Sequence, residues 1–340
     1  MAGTMKFWHI ASALMLLVGS SLLTMLLIQL SWPVLKRYAL ARPNARSSHK
    51  VPTPQGGGIA VVAAVILATG IFAITTLGVL IPSLAIVFAA TIVLAVTGAA
   101  DDIRPLTPLS RLIIQSASVL AMLHALPADL HIVPALPWWV ERAALFFGSL
   151  WLVNLTNFMD GIDWMTVAEV VPVAMALALF GFFGALPAAA TLVALALCGA
   201  MLGFAPFNKP VARLFLGDVG SLPIGLLLAW LLILLAQDHL AAAILLPLYY
   251  AADATITLAR RAATGAQLTQ AHRDHFYQHA LDGGMTVMAI VSRVFWLNVA
   301  LALLAAATLV NTSLALHVGA IISGCVLVGL TLLRFERAKN

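Results

Sequence analysis

Charge and cysteine are what this 340-residue chain has least of. Only 9% of its residues are charged, against about a quarter in a soluble domain. An ordinary water-soluble fold is therefore excluded. Two cysteines, Cys198 and Cys325, leave no disulfide framework and no zinc spacing. Both fall inside apolar runs and read as small buried hydrophobes. No Walker-type phosphate loop occurs. No repeat relates the two halves, and nearly all acids avoid the middles of the apolar runs. Both features argue against a secondary transporter, the rival reading from another class. A purely structural membrane protein would not need the polar loops described below.

What the chain has is apolar sequence: 62% hydrophobic residues and a mean hydropathy of +1.04. Eleven runs approach the bilayer-spanning length of roughly 20 residues. They cover about 8–30, 59–80, 81–98, 110–126, 140–153, 166–184, 186–203, 221–236, 240–259, 285–309 and 314–333. Only Pro82 splits the second from the third, and the fifth and eighth are short, so ten spans is the alternative count. The expectation is an all-α polytopic membrane protein forming a single domain, 1–340. The first run lacks a small-residue cleavage pattern and is read as retained.

The net charge of +5 belongs to the membrane, not to nucleic acid. With eleven spans, sixteen of the eighteen Lys and Arg residues fall on one side, and only Lys6 and Arg142 on the other. The positive-inside rule then puts the N-terminus outside and the C-terminus in the cytoplasm. Trp8, Trp32, Trp138, Trp139 and Trp151 sit near run ends, as interfacial anchors do.

Five polar loops fall on that basic side. The first contains Arg46-Ser47-Ser48-His49-Lys50 and ends Pro52-Thr53-Pro54-Gln55-Gly56-Gly57-Gly58. Its glycines would let backbone amides approach a phosphate, or the segment is a basic surface loop on anionic lipid. The second carries Asp101-Asp102 followed by Arg104, Pro105, Pro108 and Arg111. Adjacent carboxylates repel unless a cation lies nearby; Arg104 is one candidate partner and Mg²⁺ another. The third runs from Asn154 through Asn157, Asp160 and Asp163 to Trp164. A spacing of three would stack Asn154, Asn157 and Asp160 on one helical face, and Asp163 could cap the following helix. The fourth holds Asn208, Lys209, Arg213, Phe215 and a glycine-flanked Asp218, which suits either an N-cap or a metal. The fifth, from Arg260-Arg261 to His279, places His272, His275 and His279 at i, i+3, i+7. That reads as an amphipathic interfacial helix, or as a diphosphate site together with Arg273. Asp253, inside the ninth run, is expected to face a polar or aqueous cavity. Glu169 is given to the helix dipole.

Together the loops resemble the polyprenyl-phosphate N-acetylhexosamine-1-phosphate transferase family. The resemblance rests on Ser48-His49-Lys50 with Pro52-Thr53-Pro54 and Gly56-Gly57; on Asp101-Asp102 with Leu109-Ser110-Arg111; on Asn154–Asp163; on Phe215–Ser221; and on His272-Arg273-Asp274-His275. These follow the family's order across residues about 30–285. One departure stands out: the family often reads Asp-Gly-x-Asp-Gly, and here Trp164 follows Asp163.

The resemblance implies ten or eleven helices, a cytoplasmic-face groove and one Mg²⁺, with Mn²⁺ as substitute. It implies transfer of N-acetylhexosamine-1-phosphate from a UDP-sugar to undecaprenyl phosphate in a bacterial inner membrane, with release of UMP. By matching position, Asp218 with Asp160 would hold the metal, Asp101 and Asp102 would serve the lipid phosphate, and Asp160 and Asp163 the metal-bound phosphates. Lys50, Asn157, Asn208, Phe215, His272, Arg273 and His275 would contact substrate. Asp253 and the fifth loop resemble the N-acetylglucosaminyl, O-antigen-type branch, which implies surface-polysaccharide priming, with a 6-deoxy N-acetylhexosamine among the donors. The muramoyl-pentapeptide step is the runner-up. The partners implied are the UDP-sugar, the lipid phosphate and the membrane, with a homodimer left open and no nucleic acid.

Overall fold

The computed structural model describes residues 2–41, 52–77, 81–267, 272–311 and 313–338. Lys50, with the rest of Ser47–Val51, lies outside them. The chain is helical almost throughout: α1 (Ala2–Tyr38), α2 (Gly57–Leu77), α3 (Pro82–Ile103), α4 (Pro108–His124), α5 (Trp138–Met159), α6 (Met165–Phe182), α7 (Ala188–Asn208), α8 (Asp218–Leu245), α9 (Leu248–Ala263), α10 (Phe276–Asp282), α11 (Val287–Val310) and α12 (Leu314–Arg337). Two two-residue strands, β1 (Leu40–Ala41) and β2 (Thr53–Pro54), pair antiparallel.

As far as they are described, the apolar runs fall mainly in these helices, the ninth being divided between α8 and α9. Among the described residues eight helices are long and apolar enough to cross a membrane: α1, α2, α3, α6, α7, α8, α11 and α12. In lipid only helices and closed barrels can satisfy their own backbone groups, so this is an all-α polytopic membrane protein. The eighth and ninth runs differ from expectation. Instead of a loop between them, α8 continues through a kink at His239, where φ is −135° and ψ 56°, and stops at Leu245.

α8 is apolar on every face, and a helix of that kind belongs at the centre of a bundle. Residues 219–236 of α8 are all buried, whereas most of the described α1 and α12 side chains are not. Helices α2, α3, α5 and α11 pack around it. Small residues allow the closest approaches: a Cβ on Gly58 of α2 would overlap Gly220 of α8, and one on Gly98 of α3 would overlap the Asp218 backbone. Both contacts pin the start of α8 between the start of α2 and the end of α3. Cys198 is buried as expected, whereas Cys325 is exposed on α12.

Candidate active site

The five polar loops meet at one end of the bundle and bond to one another. After β2 the first loop runs alongside the fourth: Phe215 N donates to Pro54 O (2.8 Å), Gly57 N to Phe215 O and Gly58 N to Leu216 O (both 2.9 Å). These glycine amides were candidates for a phosphate cradle. They are instead spent on carbonyls, and the missing side chains serve helix packing. Gln55 Nε2 reaches the Asp102 carbonyl at 3.1 Å, which ties the first loop to the second.

The carboxylates gather where α3 ends and α8 begins. Asp102 accepts from the backbone amides of Asp218 (3.2 Å) and Val219 (3.3 Å). It therefore caps the first turn of α8, satisfying amides that a helix start leaves without partners. Asp218 is the first residue of that helix, with Gly217 before it at φ 76°. A Cβ on Gly217 would stand 2.6 Å from Asp102 Oδ2, so the approach requires glycine. Asp101 accepts from Leu106 N (2.6 Å) and pairs with Arg111 (2.9 Å); its cation is Arg111, not Arg104. The charges of both Asp102 and Asp101 also act on the Asp218 carboxylate.

The third loop closes over this cluster. Asn157 Nδ2 donates to Asp218 Oδ1 (2.7 Å) and to Ser221 Oγ (2.9 Å), which fixes the Asp218 carboxylate. Asn154 turns away to Gln115 of α4 (2.9 Å). Asp160, at the end of α5, takes a hydrogen bond from the Thr166 hydroxyl. Burial pushes the Asp160 carboxyl up to about 8; the charges of Asp218, Asp102 and Asp163 act in the same direction, and Thr166 opposes them. Asp163 does not cap α6. Its carboxylate accepts from Ala212 N of the fourth loop at 2.9 Å.

Trp164 occupies the N-cap of α6 with φ 62°, the single left-handed non-glycine residue of the described chain. The conformation explains why glycine suits this position. Here two bonds hold the indole-bearing residue instead: its N–H to Asn208 Oδ1 (2.8 Å) and Nε1 to the Ala205 carbonyl. Asn208 also donates to Leu214 O (2.9 Å) and is buried. Both ends of its amide are engaged inside the protein, so Asn208 ties the third loop to the fourth. Phe215 is half-buried beside the cluster.

The fifth loop departs furthest from expectation. Residues 272–275 are not helical, and α10 begins only at Phe276. His275 is its N-cap and is 3% exposed. Its ring stacks on His272 and Tyr277 and bonds Asp253 Oδ1 at 3.1 Å. Asp253, with no exposed surface, also takes the amides of Phe276 (3.1 Å) and Tyr277 (3.4 Å) and the hydroxyls of Tyr249 and Thr257 (both 3.4 Å). It faces protein donors, not a cavity. Burial pushes the His272 imidazole down to about 4, with His275 and Arg261 adding to the effect, so this ring is neutral at pH 7. Arg273 pairs with Asp282 at 2.8 Å. Tyr277 carries α10 to the third loop: its hydroxyl donates to Phe158 O (3.3 Å) and lies against Gly161. Glu169, in the second turn of α6, bonds Asn298 of α11 at 2.6 Å rather than serving its own helix start.

Sequence reasoning missed Gln55, Thr166, Ser221 and Tyr277 as parts of this framework. Ser221 and Tyr277 stood within recognised stretches; no pattern distinguished Gln55 and Thr166. Among the described residues no three His, Cys, Asp or Glu side chains are grouped so that together they could hold a metal ion.

Residues 84–236 match the family model of glycosyl transferase family 4. The chain is 33% identical over 210 residues to a decaprenyl-phosphate N-acetylglucosaminephosphotransferase of Mycobacterium tuberculosis, covering 56% of this chain and 52% of that one. It thus spans about half the length of that mycobacterial relative. It is 27% identical over 312 residues to a probable undecaprenyl-phosphate N-acetylglucosaminyl 1-phosphate transferase of Bacillus subtilis, covering 85% and 84% of the two chains. It is 32% identical over 142 residues to a phospho-N-acetylmuramoyl-pentapeptide-transferase of Streptococcus agalactiae, covering 39% and 41%. The matched region, residues 84–236, holds Asp101, Asp102, Asn157, Asp160, Asp163 and Asp218, and over that stretch the chain is similar to glycosyl transferase family 4.

Proposed function

We propose that this protein transfers N-acetylhexosamine-1-phosphate from a UDP-sugar to undecaprenyl phosphate. An oxygen of the lipid phosphate attacks the sugar-proximal phosphorus. The bond from that phosphorus to the bridging oxygen breaks, UMP leaves with the electron pair, and a polyprenyl-diphospho-sugar forms. The carboxylate cluster carries this reading: the charges of Asp218, Asp102 and Asp163 all act on Asp160, and Arg111 pairs with Asp101 beside them.

That donor set fits Mg²⁺, which is held by one or two carboxylates, waters and substrate phosphates rather than by an all-protein cage. Asp218 and Asp160 would hold it, with Asp101 adjoining Asp218. Bound there, it would neutralise charge on the diphosphate and the departing phosphate. The protein's own residues do the positioning. Asn157 orients Asp218, Asp102 fixes the start of α8, and Asp163 ties the third loop to the fourth. His272 enters as a neutral hydrogen-bonding group. In our proposal this end faces the cytoplasm, as the basic loops favour, and the product primes a surface polysaccharide.

The test is UMP release by the purified protein with undecaprenyl phosphate and a panel of UDP-N-acetylhexosamines, including 6-deoxy donors. Release that requires lipid, one sugar and Mg²⁺ supports the reading. Similarity to the streptococcal enzyme keeps a second reading, and UDP-N-acetylmuramoyl-pentapeptide belongs in the panel. Absence of release from every donor, with a known transferase active in parallel, would sink the proposal.

A further inference from the structure

A second feature has no part in the carboxylate cluster. Helices α11 and α12 leave a groove of about 930 Å³ between them, lined along its length by Trp296, Leu327 and Leu330 and at one end by Arg293, Arg334 and Arg337. The basic end is the one near the fifth loop, since α10 packs against α12 and Arg260 at the end of α9 pairs with Glu336 at 2.7 Å. α11 contains no acid, and Glu336, the single acid of α12, is the one committed to Arg260. Among the described residues, therefore, no carboxylate answers the three guanidinium groups in the groove. The Nε of Arg293 is moreover buried without an acceptor, a costly arrangement for a charged donor. Trp296 is 66% exposed on the groove wall.

We propose that this groove binds one anionic phospholipid of the bilayer. Arg293, Arg334 and Arg337 take the headgroup phosphate, and an acyl chain lies along Trp296, Leu327 and Leu330. The occupant follows from charge and polarity together. Three unanswered cations at interfacial depth attract an anion, planar guanidinium groups suit phosphate oxygens, and the apolar floor opens sideways toward hydrocarbon because α12 is largely exposed. A water-soluble phosphate would leave that floor uncovered, and a zwitterionic lipid would leave the cations uncompensated. The inference does not depend on the transferase reading.

Trp296 supplies the readout. The full chain is reconstituted in phosphatidylcholine nanodiscs containing phosphatidylglycerol, with bromine on the acyl chains of one lipid or the other. The difference between wild type and Trp296→Phe isolates the quenching of this indole. Brominated phosphatidylglycerol should quench it about threefold more than its molar share predicts, and the preference should vanish in Arg293→Gln/Arg334→Gln/Arg337→Gln. Native mass spectrometry should show one fewer retained phosphatidylglycerol in that triple variant. Quenching in proportion to composition, or a preference that survives the triple substitution, overturns the proposal. So does loss of the quenching on adding equimolar undecaprenyl phosphate, which would assign the groove to the prenyl lipid instead.

Discussion

Two sets of aspartates in this chain, one buried and one half-buried, look alike in sequence and are opposites in structure. Asp253 sits inside an apolar stretch with five donors turned toward it: His275, two backbone amides and two hydroxyls. No other acid is bonded to it. Asp102, Asp160 and Asp218 sit at the meeting point of three loops, and each lies close enough to other carboxylates to feel their charge. A buried carboxylate surrounded by donors is a structural clamp. A group of carboxylates facing one another is unfinished without a cation. The difference teaches that burial alone does not mark a functional acid; what the neighbours are decides it.

The comparison can be broken at either pole. Asp218→Asn keeps the shape of the cluster but removes charge where the metal is proposed to sit. UMP release should fall by about 10³-fold, roughly 4 kcal/mol of lost transition-state stabilisation, while thermal unfolding in detergent stays level or rises because a like-charge contact is relieved. A loss of folding together with activity would make Asp218 another clamp. Asp253→Ala should do the reverse. Removing the acceptor strands His275 and the first amides of α10, and a cost of about 3 kcal/mol is expected, read as a lower unfolding midpoint. If stability were unchanged and turnover alone fell, Asp253 would belong with the reactive set.

Smaller effects sharpen the boundary between the two. Asn157 touches Asp218 but needs no contact with substrate to matter. Asn157→Ala should weaken activation by Mg²⁺ about 10- to 100-fold, as loss of an orienting partner does, so titrating the cation should move its half-maximal concentration more than the maximal rate. Trp164 offers the finest test. Trp164→Gly relieves the left-handed backbone while losing the indole, whereas Trp164→Ala keeps the backbone penalty. The glycine variant should therefore be the more stable of the two by about 1 kcal/mol. Equal midpoints would mean that the conformation costs little here.

His272 gives a sign for pH. Burial holds its imidazole near 4, below its ordinary value of about 6.5. The unfolded chain therefore binds this proton first, and the group favours folding above pH about 6.5, a contribution that fades as the pH falls toward 4. Between pH 7 and pH 4 the unfolding midpoint should therefore fall more steeply for wild type than for His272→Gln. Because the ring is partly exposed, the effect should be the smallest of the set.

The residues show how far the sequence can be read. The all-α, membrane-spanning character was legible because span length and hydropathy are local. The carboxylate loops were legible because few other reasons exist for acids beside such runs. The fifth loop was misread because a spacing of i, i+3, i+7 is helical only if the backbone is, and His275 instead extends to meet Asp253. Nothing around Asn208 announces that Trp164, 44 positions away, uses its carbonyl. Trp164 itself was visible as a departure, but its left-handed φ was not.

By itself, then, the sequence determined a helical membrane protein with acidic loops between its apolar runs. Hydrophobic length and residue type act locally and add along the chain. Only the tertiary structure decided which acids clamp and which crowd. That depends on donors supplied from elsewhere: Asp102 finds its amide 116 residues away at Asp218, and Asp218 finds its orienting amide 61 residues away at Asn157. Hydrogen bonds reach about 3 Å and ignore sequence distance, so the partner of a buried carboxylate is settled by packing alone.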